Sequence, residues 1–324
     1  MKQKSRIIMF LCLLITGGLI SCQPVQRIEE PSRPLVFVSI APLKYVAERL
    51  LDGKADVEIL VGPGENPHNY QPTPQQMVRL GRASALFHLG MPFMETLAPK
   101  LAGSVPQLNV VNLAEGVDTL TFAQSLTGGA GCCPSGSVGA THDHHHHDHG
   151  HHHGDHDHAD SSIDPHVWLS PRRMMDMARS LALELQLLLP DHQKEISLQL
   201  EEIIVEWTAL DQELRRQLLP YQGKSIMVYH PAFGYFCHDY GLVQRSVELE
   251  GREPTPSQLA AVIAAAKESQ IRVIFVQRQF PVATANAVAE AIGGRVEEMD
   301  PLAEDYAANL RRIADTLTAA FQQP

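Results

Sequence analysis

Short apolar runs alternate with amphipathic stretches along most of the chain after Pro34. The runs Leu35–Ile40, Val57–Val61 and Ala85–Leu89 are long and apolar enough to form buried strands. The stretch Leu43–Leu51 instead spaces its apolar residues along one face of a helix. Because strands separated by helices indicate a parallel sheet with helical crossovers, this part of the chain predicts an α/β fold.

The second half of the chain repeats this plan. Strands are predicted at Ser225–Tyr229, Leu242–Leu249 and Val273–Val276, with helical stretches between them. Pro72-Thr73-Pro74 and Pro254-Thr255-Pro256 each open a helix before a buried strand, which indicates an old duplication. We therefore predict two similar lobes, each a mainly parallel sheet flanked by helices.

A strongly helical segment separates the two lobes. Residues 172–189 are rich in Leu, Ala and Met, and a helix of about 28 residues, spanning ~40 Å, is predicted after them. A helix of this length suits a strut that joins two lobes. We divide the chain into a lipoprotein signal peptide (1–21), a tether (22–34), an N-terminal lobe (35–175), connecting helices (176–219) and a C-terminal lobe (220–324).

The N-terminus predicts export and a lipid anchor. Cationic residues in the first six positions precede an uncharged, mostly apolar run at 7–20, which has the length of a signal-peptide core. The run ends in Leu19-Ile20-Ser21-Cys22, which resembles a bacterial lipobox in which Cys22 is lipidated. A plain secretory signal with an incidental cysteine is the alternative. We expect an exported protein anchored to the periplasmic or cell-surface side of a membrane.

Charge and histidine content narrow the class of ligand. The chain has 324 residues, and 26 Lys+Arg against 37 Asp+Glu give a net charge of −11. Such a chain does not neutralise phosphates, so nucleic acid is not an expected partner, whereas small cations are compatible with it. Of 17 histidines, 11 fall within residues 142–158, among aspartates.

The segment 123–161 has no apolar periodicity, and we predict a mobile loop inserted in the N-terminal lobe. Cys132 and Cys133 lie in it, either as auxiliary soft metal ligands or as an incidental pair. The histidines predicted to bind metal as auxiliary ligands are His142, His144, His145, His146, His147, His149, His151, His152, His153, His156 and His158.

Four other candidate ligands each stand next to a proline: His68, His166, His230 and Asp300. Proline restricts the backbone, so each side chain would be held on a stiff turn. Open α/β sheets bind ligands beyond the carboxyl ends of their strands, and two lobes facing one cleft would bring these groups together. Three imidazoles and a carboxylate suit tetrahedral Zn²⁺, whereas Mn²⁺ prefers more oxygen and copper or nickel would also accept imidazoles.

The motifs around these residues resemble those of the metal-binding receptors of ABC importers (cluster A-I), and most closely the ZnuA-like zinc-binding receptors. The motifs are Pro67-His68-Asn69-Tyr70, Asp164-Pro165-His166-Val167-Trp168-Leu169, His230-Pro231-Ala232-Phe233-Gly234-Tyr235-Phe236 and Asp300-Pro301-Leu302. The resemblance implies two lobes joined by one long helix, with the metal in the cleft.

By the same resemblance, His68, His166 and His230 are the ligands, and Asp300 or a water completes the site. Some family members use an acidic residue near the first histidine instead, and Glu65 is the local candidate. Manganese-binding relatives replace the third histidine by Glu, and this chain has His230.

The implied function is high-affinity capture of Zn²⁺ outside the cytoplasm and its delivery to the membrane permease and ATPase of an ABC importer. We expect the protein to be a monomer. We do not expect an enzyme, since the His-Glu-x-x-His spacing of a zinc hydrolase does not occur. A receptor for Mn²⁺ or another divalent metal, or a surface adhesin or metal store without transport, are the alternatives.

Deleting residues 142–158 should remove several weak zinc equivalents and leave one tight equivalent. Each loop site must order flexible backbone at about 1–2 kcal/mol per residue, so it should bind more weakly than a preorganised cleft. Since imidazole binds metal only when neutral, the weak equivalents should disappear as the pH falls below about 6. Calorimetry on the intact and shortened proteins measures both classes of site. Loss of the tight equivalent from the shortened protein would contradict the cleft as the primary site.

Overall fold

Two four-stranded parallel sheets form the centres of the two lobes. The computed structural model describes residues 33–127, 163–248 and 252–322. The strand orders are β2-β1-β3-β4 and β6-β5-β7-β8, and every neighbouring pair is parallel. The strands are β1 Leu35–Val38, β2 Asp56–Ile59, β3 Ala85–His88, β4 Asn109–Asn112, β5 Ser225–Val228, β6 Val243–Ser246, β7 Val273–Val276 and β8 Arg295–Glu298. The predicted two-lobed α/β fold is confirmed.

Helices cross between successive strands and flank both sheets. They are α1 Ala41–Leu51, α2 Pro74–Leu80, α3 Phe93–Ser104, α4 Phe122–Thr127, α5 Pro171–Leu188, α6 Gln193–Leu218, α7 Gly234–Tyr240, α8 Pro256–Glu268, α9 Ala283–Ile292 and α10 Tyr306–Phe321. The described ranges contain no helix with the length and hydropathy of a membrane span. The predicted signal peptide, Cys22, residues 23–32 of the tether and residues 128–161 of the predicted loop lie outside the described residues. The predicted loop boundary at residue 123 is wrong, because residues 123–127 belong to helix α4.

The long helix α6 joins the two lobes. It has 26 residues, which at ~1.5 Å per residue corresponds to about 39 Å. It packs against α1 and α5 on one side and against α10 of the C-terminal lobe on the other. Trp207, near its middle, is fully buried and lies against Tyr306 of α10, with ring centroids 4.7 Å apart. The predicted strut is therefore part of one continuous packed structure.

The duplication is visible in the way two helices begin. The hydroxyl oxygen of Thr73 accepts the N–H of Gln76, while the side chain of Gln76 accepts the N–H of Thr73. Thr255 and Gln258 form the same reciprocal pair at the start of α8. Such a capping box satisfies two N–H groups that a helix start leaves without partners. Both lobes thus start the same crossover helix with the same local chemistry.

A buried guanidinium connects the lobes close to the cleft. Arg173, 7% exposed, donates from Nη1 to Asp239 of α7 (2.9 Å) and from Nη2 to Asp118 (3.2 Å). Burial acts to raise the pKa of Asp239, but hydrogen bonds from His238, Ser170 and Arg173 outweigh it and lower that pKa below its ordinary value. The carboxylate is therefore stabilised in its charged form by the fold itself.

Replacing Asp239 by Asn should destabilise the protein by about 3 kcal/mol near neutral pH, because Arg173 would lose a buried counter-charge. Since the pKa of Asp239 is lowered on folding, its contribution is present above the ordinary value of 3.8 and is lost as the pH falls through the folded-state pKa. Thermal unfolding at neutral and acid pH should therefore show a smaller pH dependence in Asp239→Asn.

The control is Asp176→Asn, which breaks an exposed pair with Arg179. An exposed pair contributes about 1 kcal/mol at most, so this variant should unfold almost like the unmodified protein. Equal losses from the two substitutions would contradict a structural role for the buried pair.

Candidate metal site

Three histidines converge in the cleft. His68 lies in the loop between β2 and α2, His166 precedes a short 3₁₀ turn that leads into α5, and His230 follows β5. The Nε2 atom of His166 is 3.3 Å from Nε2 of His68 and 3.2 Å from Nε2 of His230. The three candidate ligand atoms all lie within 4.8 Å of one another. The structure therefore brings together the three histidines that the sequence singled out.

Aromatic rings form the walls around this cluster. The ring of Phe280 stacks on His230 with centroids 4.7 Å apart, and Trp168 lies 5.3 Å from His166. His166 and His230 are 2% and 5% exposed, whereas His68 is half-buried. The cluster thus has a dry side formed by His166 and His230 and a more open side at His68.

Two buried carboxylates fix two of the imidazoles. Oδ1 of Asp164 accepts from Nδ1 of His166 (2.7 Å) and also from its backbone N–H (3.0 Å). Oε2 of Glu248 accepts from Nδ1 of His230 (2.6 Å). Because an ionised carboxylate only accepts, each Nδ1 carries the proton and each Nε2 presents its lone pair to the cluster.

The backbone of His230 is fixed as well. The side chain of Gln277, just after β7, donates from Nε2 to the carbonyl of His230 (2.9 Å) and accepts its N–H at Oε1 (3.3 Å). Gln277 is 1% exposed, so this pair of hydrogen bonds is shielded from water. The ends of three adjacent strands, β6, β5 and β7, thus supply Glu248, His230 and Gln277 in spatial order.

Sequence reasoning missed Glu248 and Gln277 and gave Asp164 no role of its own. Asp164 stands two residues before His166, a spacing at which an Asp side chain reaches back to a nearby backbone N–H. The signal for Glu248 and Gln277 was weaker. Gln277 directly follows the apolar predicted strand Val273–Val276, whereas Glu248 is one of several polar residues in the predicted strand Leu242–Leu249. Only the strand order shows which histidine they contact.

Burial favours the neutral form of His68 and His230. It is the main cause that lowers the pKa of His68 to about 2, and the neighbouring His166 and His230 lower it further. Burial also lowers the pKa of His230, with Glu248 acting in the opposite direction. A neutral imidazole is the form that binds a metal ion, so both side chains are ready to coordinate at neutral pH.

The two candidate fourth ligands lie outside this close cluster. Oδ1 of Asp300, which follows β8, accepts the N–H of Leu302 (2.8 Å). Oε2 of Glu65 accepts the N–H of Gly62 (2.6 Å), and Glu65 is exposed. Within the described residues, the group of mutually close ligand atoms contains only the three histidines. Asp300 therefore stays a prediction as the fourth ligand.

A cavity of about 650 Å³ opens beside His68. Glu95 and Glu115 line it, as do Phe122 and Ile163, which stand on either side of the His/Asp-rich segment. Its carboxylates favour cations near the more open side of the cluster.

One further histidine is structural. Nδ1 of His88, at the end of β3, accepts the N–H of Gly90 (3.1 Å), and burial lowers the pKa of His88 to about 4. His88 is therefore a hydrogen-bonded core residue. The auxiliary histidines between 142 and 158, together with Cys132 and Cys133, lie outside the described residues.

A two-lobed α/β fold with three imidazoles that converge in its cleft defines a metal-binding receptor of the periplasmic type. The chain belongs to the ZnuA family, described as "Zinc-uptake complex component A periplasmic", whose profile matches residues 36–320. Its members are substrate-binding receptors of transporters rather than a class of enzymes. The resemblance inferred from the four motifs is confirmed.

Individual relatives give the same picture. The chain is 26% identical to the zinc-binding lipoprotein AdcA of Streptococcus pneumoniae (TIGR4) over 308 residues, which cover 93% of this chain but only 56% of AdcA. It is 28% identical to the high-affinity zinc uptake system protein ZnuA of Bacillus subtilis over 82% of this chain and 78% of that protein. A crystal structure of ZnuA matches with a TM-score of 0.75 at 30% identity, covering 89% of this chain and 99% of that one.

Replacing Gly234 by Ala should weaken metal binding without touching a histidine. A Cβ at Gly234 would overlap Ser125 of α4 and lie 2.7 Å from Oδ2 of Asp164. Oδ2 is buried and has no hydrogen-bond partner among the described residues, so no hydrogen bond from them holds this oxygen against displacement. We expect a loss of zinc affinity of about 10-fold or more, as for other changes to groups behind a metal ligand. Competition with a chelator of known affinity measures it.

The matched control is Gly103→Ala in α3, where the added Cβ meets no atom within 4 Å. That variant should bind zinc normally and be slightly more stable, since Ala is the better helix former by about 1 kcal/mol. Equal zinc affinities for the two variants would show that Gly234 does not position Asp164.

Proposed function

We propose that this protein captures Zn²⁺ outside the cytoplasm and delivers it to an ABC importer. The convergence of the Nε2 atoms of His68, His166 and His230 within 4.8 Å carries the proposal. Nitrogen donors at this spacing surround a volume fit for one ion bound at ~2.0–2.1 Å from each. Buried carboxylates fix two of the three rings, so these rings need little rearrangement to bind an ion.

The donor set favours zinc over manganese. Three imidazole nitrogens suit Zn²⁺, which has no geometric preference of its own and accepts a tetrahedral site, while Mn²⁺ prefers oxygen ligands. We propose Asp300 as the fourth ligand ahead of Glu65, with a water as the remaining possibility. Asp300 lies at the carboxyl end of β8, in the sheet that also carries His230. A receptor for Mn²⁺ or another divalent ion is the alternative.

The relatives support zinc as the cargo. The Streptococcus pneumoniae relative is named a zinc-binding lipoprotein, and the Bacillus subtilis relative a high-affinity zinc uptake system protein. A ZnuA variant lacking residues 138–173 of its own sequence was solved with zinc bound, and it matches this chain with a TM-score of 0.75 at 30% identity. We propose the same cargo here, bound as a transported ligand rather than as a resident cofactor.

The remaining parts of the proposal concern place and partners. We propose that Cys22 is lipidated and anchors the protein outside the cytoplasm, in line with the lipoprotein relative. The proposed partners are the permease and ATPase of the importer, and the receptor is proposed to act as a monomer without catalysis. A zinc-dependent rise in uptake by vesicles that contain the permease and ATPase would distinguish transport from metal storage.

Replacing His166 by Ala should lower zinc affinity by about 100-fold. A structural zinc site supplies on the order of 10–16 kcal/mol through its ligands together, so the loss of one ligand corresponds to about 3 kcal/mol. Both the variant and its parent should lack residues 142–158, so that only the cleft is measured. Chelator competition then gives the two affinities.

The control is His192→Ala, at the short turn before α6 and outside the cluster. It should leave zinc affinity unchanged. Equal titration curves for His166→Ala and its parent would overturn the assignment of the cleft as the zinc site.

A further inference from the structure

Asp164 and Glu248 are both buried carboxylates that have no cationic side chain beside them among the described residues. Asp164 is fully buried and Glu248 is 6% exposed. Within the described residues, neither carboxylate forms an ion pair with a lysine or an arginine, and each accepts a hydrogen bond from a histidine of the cluster. A buried carboxylate without a cation is costly, because the low dielectric of the interior strengthens its need for a counter-charge.

A bound dication would supply that counter-charge. Three neutral imidazoles leave a Zn²⁺ ion with its full charge of +2, and two carboxylates lie one imidazole ring away from it, behind His166 and His230. Each carboxylate polarises the Nδ1–H bond it accepts and thereby makes Nε2 a stronger donor to the metal. The +2 charge of the ion then attracts both buried carboxylates, in addition to the carboxylate of Asp300, the proposed fourth ligand.

The other lobe shows that the sheet itself does not require a carboxylate at this place. Glu248 donates its backbone N–H to the carbonyl of Tyr229, the residue after β5 (2.9 Å). In the N-terminal lobe, Val61 donates its N–H to the carbonyl of Ser39, the residue after β1 (3.1 Å). Val61 therefore occupies the position of Glu248 in the duplicated fold, and it is buried. The fold therefore accepts an apolar residue at this position, so the role of the Glu248 carboxylate lies in its contact with His230.

We propose that Asp164 and Glu248 are positioning residues that also select the charge of the bound ion: they fix His166 and His230 and make the cleft specific for a dication. This inference rests on the proposed function of the cleft as a metal site. It assigns to the two carboxylates a role distinct from that of a metal ligand, because both act through an imidazole.

Neutral isosteres separate charge from shape. Asp164→Asn and Glu248→Gln keep the size of each side chain and an oxygen that can accept from Nδ1. They remove the charge and replace the second oxygen by an amide NH2 group. We expect each to weaken Zn²⁺ binding by about 10–100-fold, and Glu248→Asp to recover part of the loss. Trp168 reports on the cleft through its fluorescence, since its ring lies 5.3 Å from that of His166. Unchanged Zn²⁺ affinity in both isosteres would overturn the proposal.

A monovalent ion tests the selection of charge. Coulomb energy is proportional to the charge of the ion, so removing one carboxylate should weaken Ag⁺ binding by about the square root of its effect on Zn²⁺, or roughly 3–10-fold. Trp168 fluorescence with excess free Ag⁺ in chloride-free buffer follows the cleft alone. Equal fold losses for Zn²⁺ and Ag⁺ would mean that the carboxylates only orient the rings, and would overturn the charge-selective role.

The matched control is Asp211→Asn on α6. Asp211 is also a buried carboxylate, but it contacts Arg172, Arg215 and Tyr240 rather than a histidine. It should leave the ratio of Zn²⁺ to Ag⁺ affinity unchanged, and thermal unfolding checks that all variants are folded. Failure of the unmodified protein to bind Zn²⁺ tightly would refute the proposed function itself, whereas tight binding unaffected by the isosteres would refute only this inference.

Discussion

The position of the segment from Asp164 to Ser170 determines the geometry of the cleft, and three hydrogen bonds to the C-terminal lobe set that position. Tyr235 donates its hydroxyl to the carbonyl of Asp164, and Tyr306 donates to that of Trp168, both at 2.8 Å. Trp168 in turn donates its indole N–H to the carbonyl of Pro301 (2.8 Å). His166 lies between these anchors, so its distance from His230 is fixed by hydrogen bonds among buried residues.

The parallel topology explains why the remaining groups meet there. In each sheet all four strands run in one direction, so their carboxyl ends share an edge, and polar residues placed just after the strands become neighbours. In the C-terminal lobe this edge carries Glu248, His230, Gln277 and Asp300. In the N-terminal lobe, Val61 stands where Glu248 does, and His68 of the histidine cluster lies in the loop between β2 and α2. The two lobes therefore share a fold but not the chemistry of their edges.

A structural feature could be predicted from the sequence where neighbouring residues encode it. Apolar periodicity and the Pro-Thr-Pro helix starts predicted the strands, the duplication and the long α6, since each is encoded in neighbouring residues. Prolines beside His68, His166 and His230 pointed to stiff turns, and the structure brings these side chains together. The role of Glu248 could not be predicted, because its contact with His230 depends on the pairing of β6 with β5, which no local sequence pattern specifies.

The three histidines of the cleft differ in how firmly the surrounding structure holds them. His166 and His230 are each held at two points, on the ring by a carboxylate and on the chain by a backbone contact. In the described part of the chain, the ring of His68 is hydrogen-bonded only to His166. Because His166 is anchored to the C-terminal lobe, a displacement between the lobes changes the distance of His68 from the other two far more than their distance from each other. Such a displacement changes the contact of His68 with the cluster, while the paired imidazoles of His166 and His230 keep their carboxylate partners.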